Sequence, residues 1–250
     1  MLENIKIAFF DLDGTLTNSK QLITENNINA LKYLKKKYIK IVICTGRWDN
    51  YVINYNKSNI IDYIICNNGS EIYDLNNNKL INSETLSSDT INNINKYCKD
   101  NNLDIIYNGL LKRYKINDVI NNNVFQGVII CKEKEEVNKL IEFAKKIDTK
   151  ITYISSSYYK NINSNSYTTN INLIETSKGN GIKKLLKHLN INKEDSICFG
   201  DNNNDIDMFL NCGIKVCMEN GLKELKDIAD YITLTNDEDG IAYFINNYLK

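Results

Sequence analysis

Near the start of the chain an apolar run, Ile5-Lys6-Ile7-Ala8-Phe9-Phe10, stops at two carboxylates one residue apart, Asp11-Leu12-Asp13, followed by Gly14-Thr15. Two anions held that close repel each other unless a cation lies between them. A glycine beside them suits a tight turn or a close approach of backbone to a ligand. A bare D-x-D also ends a strand in a solvated turn, so the pair needs company. Three further stretches supply it: Thr45-Gly46-Arg47, Lys178, and Gly200-Asp201 through Asn204-Asp205. Taken singly, Thr45 reads as a helix cap, Lys178 as a solvated lysine and Asp201 as a turn former. In this order, each at the end of a strand or the start of a helix, they are much harder to dismiss.

The elements that must position these residues follow from hydrophobic periodicity. The run ending at Asp11 reads as a buried parallel strand, and in open α/β sheets ligands bind beyond the carboxyl ends of such strands. Residues 25–35 carry apolar positions at helical spacing behind a Thr24 cap, and residues 39–44 form a second strand that ends at Thr45. That is one β-α-β unit, with a right-handed connection. A helix over 48–55 and a strand over 63–66 follow, the strand ending in Asn67-Asn68-Gly69-Ser70.

From about Ser83 the pattern changes. Helices over 89–100 and 134–146 alternate with short strands at 104–108, 111–116, 124–131, 150–154 and 168–174, which is the pattern of an α+β unit with an antiparallel sheet. The β-α-β grammar resumes with helix 182–189 and strand 196–199. It continues with helix 206–211, strand 214–218, helix 222–227, strand 231–234 and helix 240–249. The expected organisation is an α/β, Rossmann-like parallel-sheet core made of residues 1–82 and 176–250, interrupted by an inserted α+β cap at 83–175.

Bulk composition narrows the class. Among 250 residues, 31 Lys+Arg balance 31 Asp+Glu, so no net charge draws the chain to nucleic acid or an anionic membrane. No apolar run reaches the length of a span and no targeting signal is read, so the expected location is cytoplasmic, as a monomer or small homo-oligomer. The seven cysteines form no C-x-x-C pair and most sit in strand-like runs, which favours buried reduced thiols. The single histidine, His188, lies in a helical run and reads as a surface or packing residue.

With these four stretches in place, the sequence resembles the haloacid dehalogenase (HAD) superfamily, whose four motifs match in order and residue type. It is most similar to the Cof-type, type IIB phosphatases, in which an α+β cap lies between the second and third motifs. The likeness continues past the last motif through 212–220, 229–233 and 236–242. The resemblance implies that Asp11 is the nucleophile, forming an aspartyl-phosphate, and that Asp13 is the general acid/base. It implies Mg²⁺ held by Asp11, Asp201 and the backbone carbonyl of Asp13. Leu12, Thr45, Gly46, Lys178 and Asn204 are implied to bind the phosphate, Thr45 and Lys178 also serving catalysis. Asp205 is implied to buttress Lys178 or the metal's waters. Transport ATPases of the superfamily have Thr where Asp13 stands, and the dehalogenases lack the acid, so Asp13 points to a phosphatase or phosphomutase.

The favoured reading is a Mg²⁺-dependent phosphatase acting on a small phosphorylated metabolite, a sugar phosphate first, a nucleotide or cofactor phosphate behind it. A phosphomutase of the same fold and a non-catalytic phosphate-binding switch are the alternatives. In the family the cap closes over the site, so substrate preference is expected to reside in residues 83–175. Arg113, Lys115, Tyr158, Tyr159 and Lys160 either line such a lid or are simply exposed. Asn68 and Gly69 either border the substrate pocket or make a turn.

Overall fold

Strand β1 (Ile7–Asp11) is buried at every position, as expected of a strand covered on both faces. It belongs to a computed structural model that describes residues 4–47, 59–109, 113–118, 124–131, 134–147, 159–160, 167–173 and 176–250. By internal contacts the chain divides into two compact units, Met1–Asn82 with Lys178–Lys250, and Ser83–Ser177.

In the first unit, α1 (Glu25–Lys36) starts behind Thr24, whose hydroxyl accepts from the Asn27 amide at 3.2 Å. Strands β2 (Lys40–Cys44) and β3 (Tyr63–Cys66) follow, then a hairpin of β4 (Glu71–Asp74) and β5 (Lys79–Ser83). This hairpin was not anticipated. A run rich in Asn and bearing Glu71 lacks the apolar signal that marked the other strands, yet β4 pairs antiparallel with β3 from Tyr63↔Asp74 to Cys66↔Glu71.

The second unit comprises α2 (Ser88–Asp100), β6 (Asp104–Gly109), β7 (Arg113–Lys115), β8 (Val124–Cys131), α3 (Lys134–Lys146), β9 (Tyr159–Lys160) and β10 (Tyr167–Leu173). Its strands form a sheet in the order β7-β6-β8-β10-β9, antiparallel at every junction. Ile105, Tyr107 and Ile129 of the sheet bury against Ile91, Ile94 and Cys98 of α2 and Leu140 of α3. The strand read at 111–116 is confined to Arg113–Lys115 among the described residues. The helix read at 48–55, the strand read at 150–154 and Tyr158 lie outside the described residues.

The first unit then resumes with α4 (Lys178–Leu189), β11 (Ser196–Gly200), α5 (Ile206–Leu210), β12 (Ile214–Cys217), α6 (Lys223–Lys226), β13 (Tyr231–Ile232) and α7 (Gly240–Phe244). The expected final helix over 240–249 is α-helical only to Phe244 and widens into a π-helical turn, Ile245–Leu249. The sheet runs β13-β12-β11-β1-β2-β3-β4-β5, with parallel pairing from β13 through β3.

Alternation along β1 sorts the core into two layers. Ala8 and Phe10 join Leu31 and Leu34 of α1 and Phe244 of α7 on one face. Ile7 and Phe9 join Ile182 and Leu185 of α4 on the other. Phe10 stacks on Phe199 with ring centroids 5.0 Å apart. The two layers hold β1, β2 and β11 side by side, so their carboxyl ends, where Asp11, Thr45 and Asp201 stand, reach the same edge. All seven cysteines are buried and free, and His188 is exposed.

Candidate active site

Lys178, the first residue of α4, is the most unusual group at that edge. Its side chain is fully buried, and Nζ donates to Oδ1 of Asp11 and, at 2.7 Å, to Oδ1 of Asp205. Burial opposes an ammonium charge, but Asp11 and Asp205 outweigh it and hold Lys178 protonated well above the ordinary lysine range. Burial likewise pushes the Asp11 carboxyl well above the usual carboxylate range; Lys178 pulls it down, while Asp205 and Asp201 add to the rise.

Asp205 uses both oxygens. Oδ1 takes Lys178, and Oδ2 accepts the backbone N–H groups of Asp201 and Asn202, both at 3.0 Å. It therefore ties the ammonium to the loop that carries Asp201. Gly200 lets this happen, because a Cβ there would come within 2.7 Å of the Asp205 Cβ.

Asp201 accepts the Thr15 hydroxyl at 2.8 Å on Oδ1. Its Oδ2 lies over Gly14, where a Cβ would stand 2.5 Å away, and Gly14 itself has φ +83°. The Asn220 side chain donates to the Gly14 carbonyl at 2.8 Å and fixes that turn. Burial pushes the Asp201 carboxyl up from 3.8 to about 7, with Asp205's charge adding to the rise.

Asp13 stands apart from this cluster. Its side chain is 48% exposed and is gripped by Arg47, with Nε on Oδ2 at 2.6 Å and Nη2 on Oδ1. Such a fork fixes a carboxylate's orientation more firmly than a point contact. Leu12, between the two aspartates, points into the core, and its carbonyl accepts both the amide and the hydroxyl of Thr17 at 2.8 Å. Any part Leu12 has in the site is through its backbone N–H.

Thr45 is buried, and its hydroxyl accepts the Arg47 amide at 3.1 Å, a turn that puts Gly46 at the bend. Asn204 is buried as well, its amide donating to Asn68 at 3.4 Å. Cys44 lies beside Thr45, but burial pushes its thiol well above the ordinary range, so it offers no thiolate to compete with Asp11.

Carboxylate oxygens of Asp11, Asp201 and Asp205 lie within 4.8 Å of one another. Three carboxyl groups crowd one ammonium at a largely enclosed edge, two of them pushed upward for want of positive charge, and the donors are all hard oxygens. Both features fit a small divalent cation of the Mg²⁺ class. The Asp13 carboxylate is not part of that cluster, so any contribution from Asp13 to a cation is through its backbone.

Sequence reasoning gave no role to Arg47, Thr15 or Asn220. Arg47 follows Thr45-Gly46 directly, and its position beside that turn is the signal the sequence carries. Thr15 closes the Asp11–Thr15 stretch and Asn220 ends the 212–220 stretch, but their partners, Asp201 and Gly14, are far away in sequence, so their contacts were not readable.

The family model of the haloacid dehalogenase-like hydrolases matches residues 8–245. A 5-amino-6-(5-phospho-D-ribitylamino)uracil phosphatase of Bacillus subtilis (strain 168), YcsE, is 30% identical over 250 residues, covering 98% of this chain and 96% of its own. Phosphatase YwpJ of the same organism is 28% identical over 287 residues, covering 98% of this chain and 100% of its own. Among solved structures, the HAD subclass IIB sugar phosphatase BT4131 superposes with a TM-score of 0.79 at 25% identity, covering 97% of this chain and 98% of its own. Among the described residues no helix is long and apolar enough to cross a membrane.

Proposed function

The chain belongs to the haloacid dehalogenase-like hydrolases of Cof type and acts on phosphate esters; on that premise, we propose that Asp11 attacks the phosphorus of a small phosphorylated metabolite. The attack forms an aspartyl-phosphate and expels the substrate's alkoxide, which Asp13 protonates. Asp13 then takes a proton from a water that attacks the acyl-phosphate, releasing orthophosphate and restoring Asp11. Lys178 neutralises charge on Asp11 and on the transferring group, held by Asp205. Thr45, the Gly46 amide and Asn204 hold phosphoryl oxygens, with the Leu12 backbone N–H beside them. Arg47 orients the Asp13 carboxylate through a fork that takes both of its oxygens, so one prong must open for Asp13 to carry the proton it donates.

Asp11 and Asp201, with the Asp13 carbonyl, are the residues that would hold Mg²⁺. The cation would supply charge neutralisation for the phosphoryl oxygens, which an edge bearing surplus carboxylate cannot supply alone. All of these residues belong to the unit formed by 1–82 and 178–250. The segment 83–175 is the part proposed to choose the substrate, with Arg113 and Lys115 of β7 and Tyr159 and Lys160 of β9 as candidate determinants.

For the substrate, the names of two relatives share one chemistry. A ribitylaminouracil phosphate and a sugar phosphate both carry the ester on a polyhydroxylated carbon chain, which supports a sugar or polyol phosphate ahead of a nucleotide or cofactor phosphate.

The observation that carries the proposal is the fully buried Lys178 bridging Asp11 and Asp205 beside Asp201. A panel of sugar, polyol, nucleotide and cofactor phosphates, assayed for orthophosphate with and without Mg²⁺, tests it. Mg²⁺-dependent release, lost in Asp11→Asn, is the expected result. Isomer formation without net release would move the reading to a mutase, and a stable phosphoprotein without turnover to a switch.

A further inference from the structure

The turn that follows β3, Asn67–Gly69, holds three successive residues in the left-handed region: φ is 46° at Asn67, 54° at Asn68 and 104° at Gly69. For the two asparagines that conformation costs roughly 1 kcal/mol each, so the surroundings must over-determine it. They do. Asn67 and Asn68 are fully buried. The Asn67 side chain donates to Oε2 of the buried Glu71 at 2.6 Å, and Tyr73 donates to Oε1 of the same carboxylate at 2.8 Å.

This turn touches three separate pieces of the phosphate site. The Asn67 and Asn68 amides donate to the carbonyls of Arg47 and Thr45, both at 3.0 Å. Gly69 packs on α4 one turn beyond Lys178, where a Cβ at Gly181 would lie 3.1 Å from the Gly69 Cα. The Asn68 side chain fills the remaining gap. Its Oδ1 accepts from Asn204 Nδ2 at 3.4 Å, and a Cβ at Gly46 would stand 3.0 Å from both its Oδ1 and its Nδ2.

We infer that Asn68 is a positioning residue whose side chain sets the spacing between the Thr45–Gly46 backbone and the Asn204 amide, so that both meet one phosphoryl group. The inference rests on the phosphatase reading of the site. Its physical content is preorganisation: donors held on a locked side chain need no rearrangement when the anion arrives, and a displacement of about 1 Å costs up to about a hundredfold. The strain stored in the turn is the counterpart of that rigidity.

Asn68→Gly isolates the side chain, because glycine adopts the left-handed backbone without penalty. Asn78→Gly serves as control, since Asn78 shares the geometry (φ 48°) in the exposed turn between β4 and β5. Orthophosphate binding in the presence of Mg²⁺ is measured by calorimetry, alongside kcat, KM and melting temperature. The expected result is a Kd for orthophosphate about tenfold or more higher in Asn68→Gly, with kcat reduced and the melting curve still cooperative, and no change in Asn78→Gly. Gly46→Ala, whose methyl group would push on Asn68, gives a second route should Asn68→Gly fold poorly: its Kd for orthophosphate is expected to rise about tenfold or more as well, an unchanged Kd overturns the inference, and where both variants fold their losses are expected to be less than additive.

An unchanged Kd and kcat in Asn68→Gly, or simple additivity with Gly46→Ala, overturns the inference while leaving the phosphatase reading intact. Failure of the unmutated protein both to bind orthophosphate and to release it from any ester overturns both together.

Discussion

The Nζ of Lys178 lies 2.7 Å from Oδ1 of Asp205, and neither side chain reaches water. A lone buried charge is costly, and each of these groups is compensated in large part by the other. Replacing Asp205 by alanine leaves Lys178 with Asp11 alone and frees the Asp201 and Asn202 amides that Asp205 now holds. Asp205→Ala is expected to lose about 3–5 kcal/mol of stability, the range for breaking a buried pair from one side. Urea denaturation followed by circular dichroism measures this, and turnover should fall with it by at least about a hundredfold.

Gly14 makes the approach of Asp201 possible. In Gly14→Ala the new methyl group would stand 2.5 Å from Asp201 Oδ2 and force it to shift, and the positive φ adds backbone strain. The Mg²⁺ concentration for half-maximal activity should rise about tenfold or more, one decade corresponding to about 1.4 kcal/mol. Activity at saturating Mg²⁺ should recover in part. A cation titration of initial rates reads both quantities.

The raised carboxyl of Asp201 has a consequence for stability. In the metal-free protein the folded state keeps a proton on Asp201 up to about pH 7, whereas the unfolded chain releases it near 3.8. The folded state thus binds more protons between those values, and this group's contribution to stability falls as pH rises from about 4 to about 7. Metal-free melting temperatures should show that decline, Asp201→Asn should flatten it, and Mg²⁺ at about pH 8 should raise the melting temperature of the unmutated protein but not of Asp201→Asn.

Asp13 and Arg47 are 34 residues apart in sequence and form a forked pair. If Asp13 supplies the proton to the departing oxygen, its loss matters most when that oxygen leaves poorly. Asp13→Asn is expected to lower turnover of an alkyl phosphate by about 10²–10⁴-fold and that of an aryl phosphate much less. Arg47→Ala should show the same ordering with smaller losses. Comparing kcat on a sugar phosphate and on p-nitrophenyl phosphate checks both.

The core strands were legible because parallel strands covered on both faces are written as unbroken apolar runs, as at Ile7–Asp11 and Lys40–Cys44. The residues that end them, Asp11, Thr45 and Asp201, are therefore readable from sequence as standing at the carboxyl edge of the sheet. The hairpin of β4 and β5 was not legible, because Glu71 is buried by hydrogen bonds to Asn67 and Tyr73 rather than by apolarity. Lys178 was legible as a motif residue, but nothing in its neighbours announced complete burial. The hold of Arg47 on Asp13, and the wedge of Asn68 between Gly46 and Asn204, depend on contacts between loops far apart in sequence, which periodicity does not encode.

In the proposed reaction Asp11 carries the phosphoryl group during turnover. The direct measurement is an acid quench of the protein reacting with ³²P-labelled sugar phosphate in Mg²⁺, followed by proteolysis and identification of the labelled peptide. The expected result is a hydroxylamine-sensitive label on the peptide containing Asp11, absent from Asp11→Asn. Phosphate release with no label on that peptide, or a label on any other residue, would rule out Asp11 as the nucleophile.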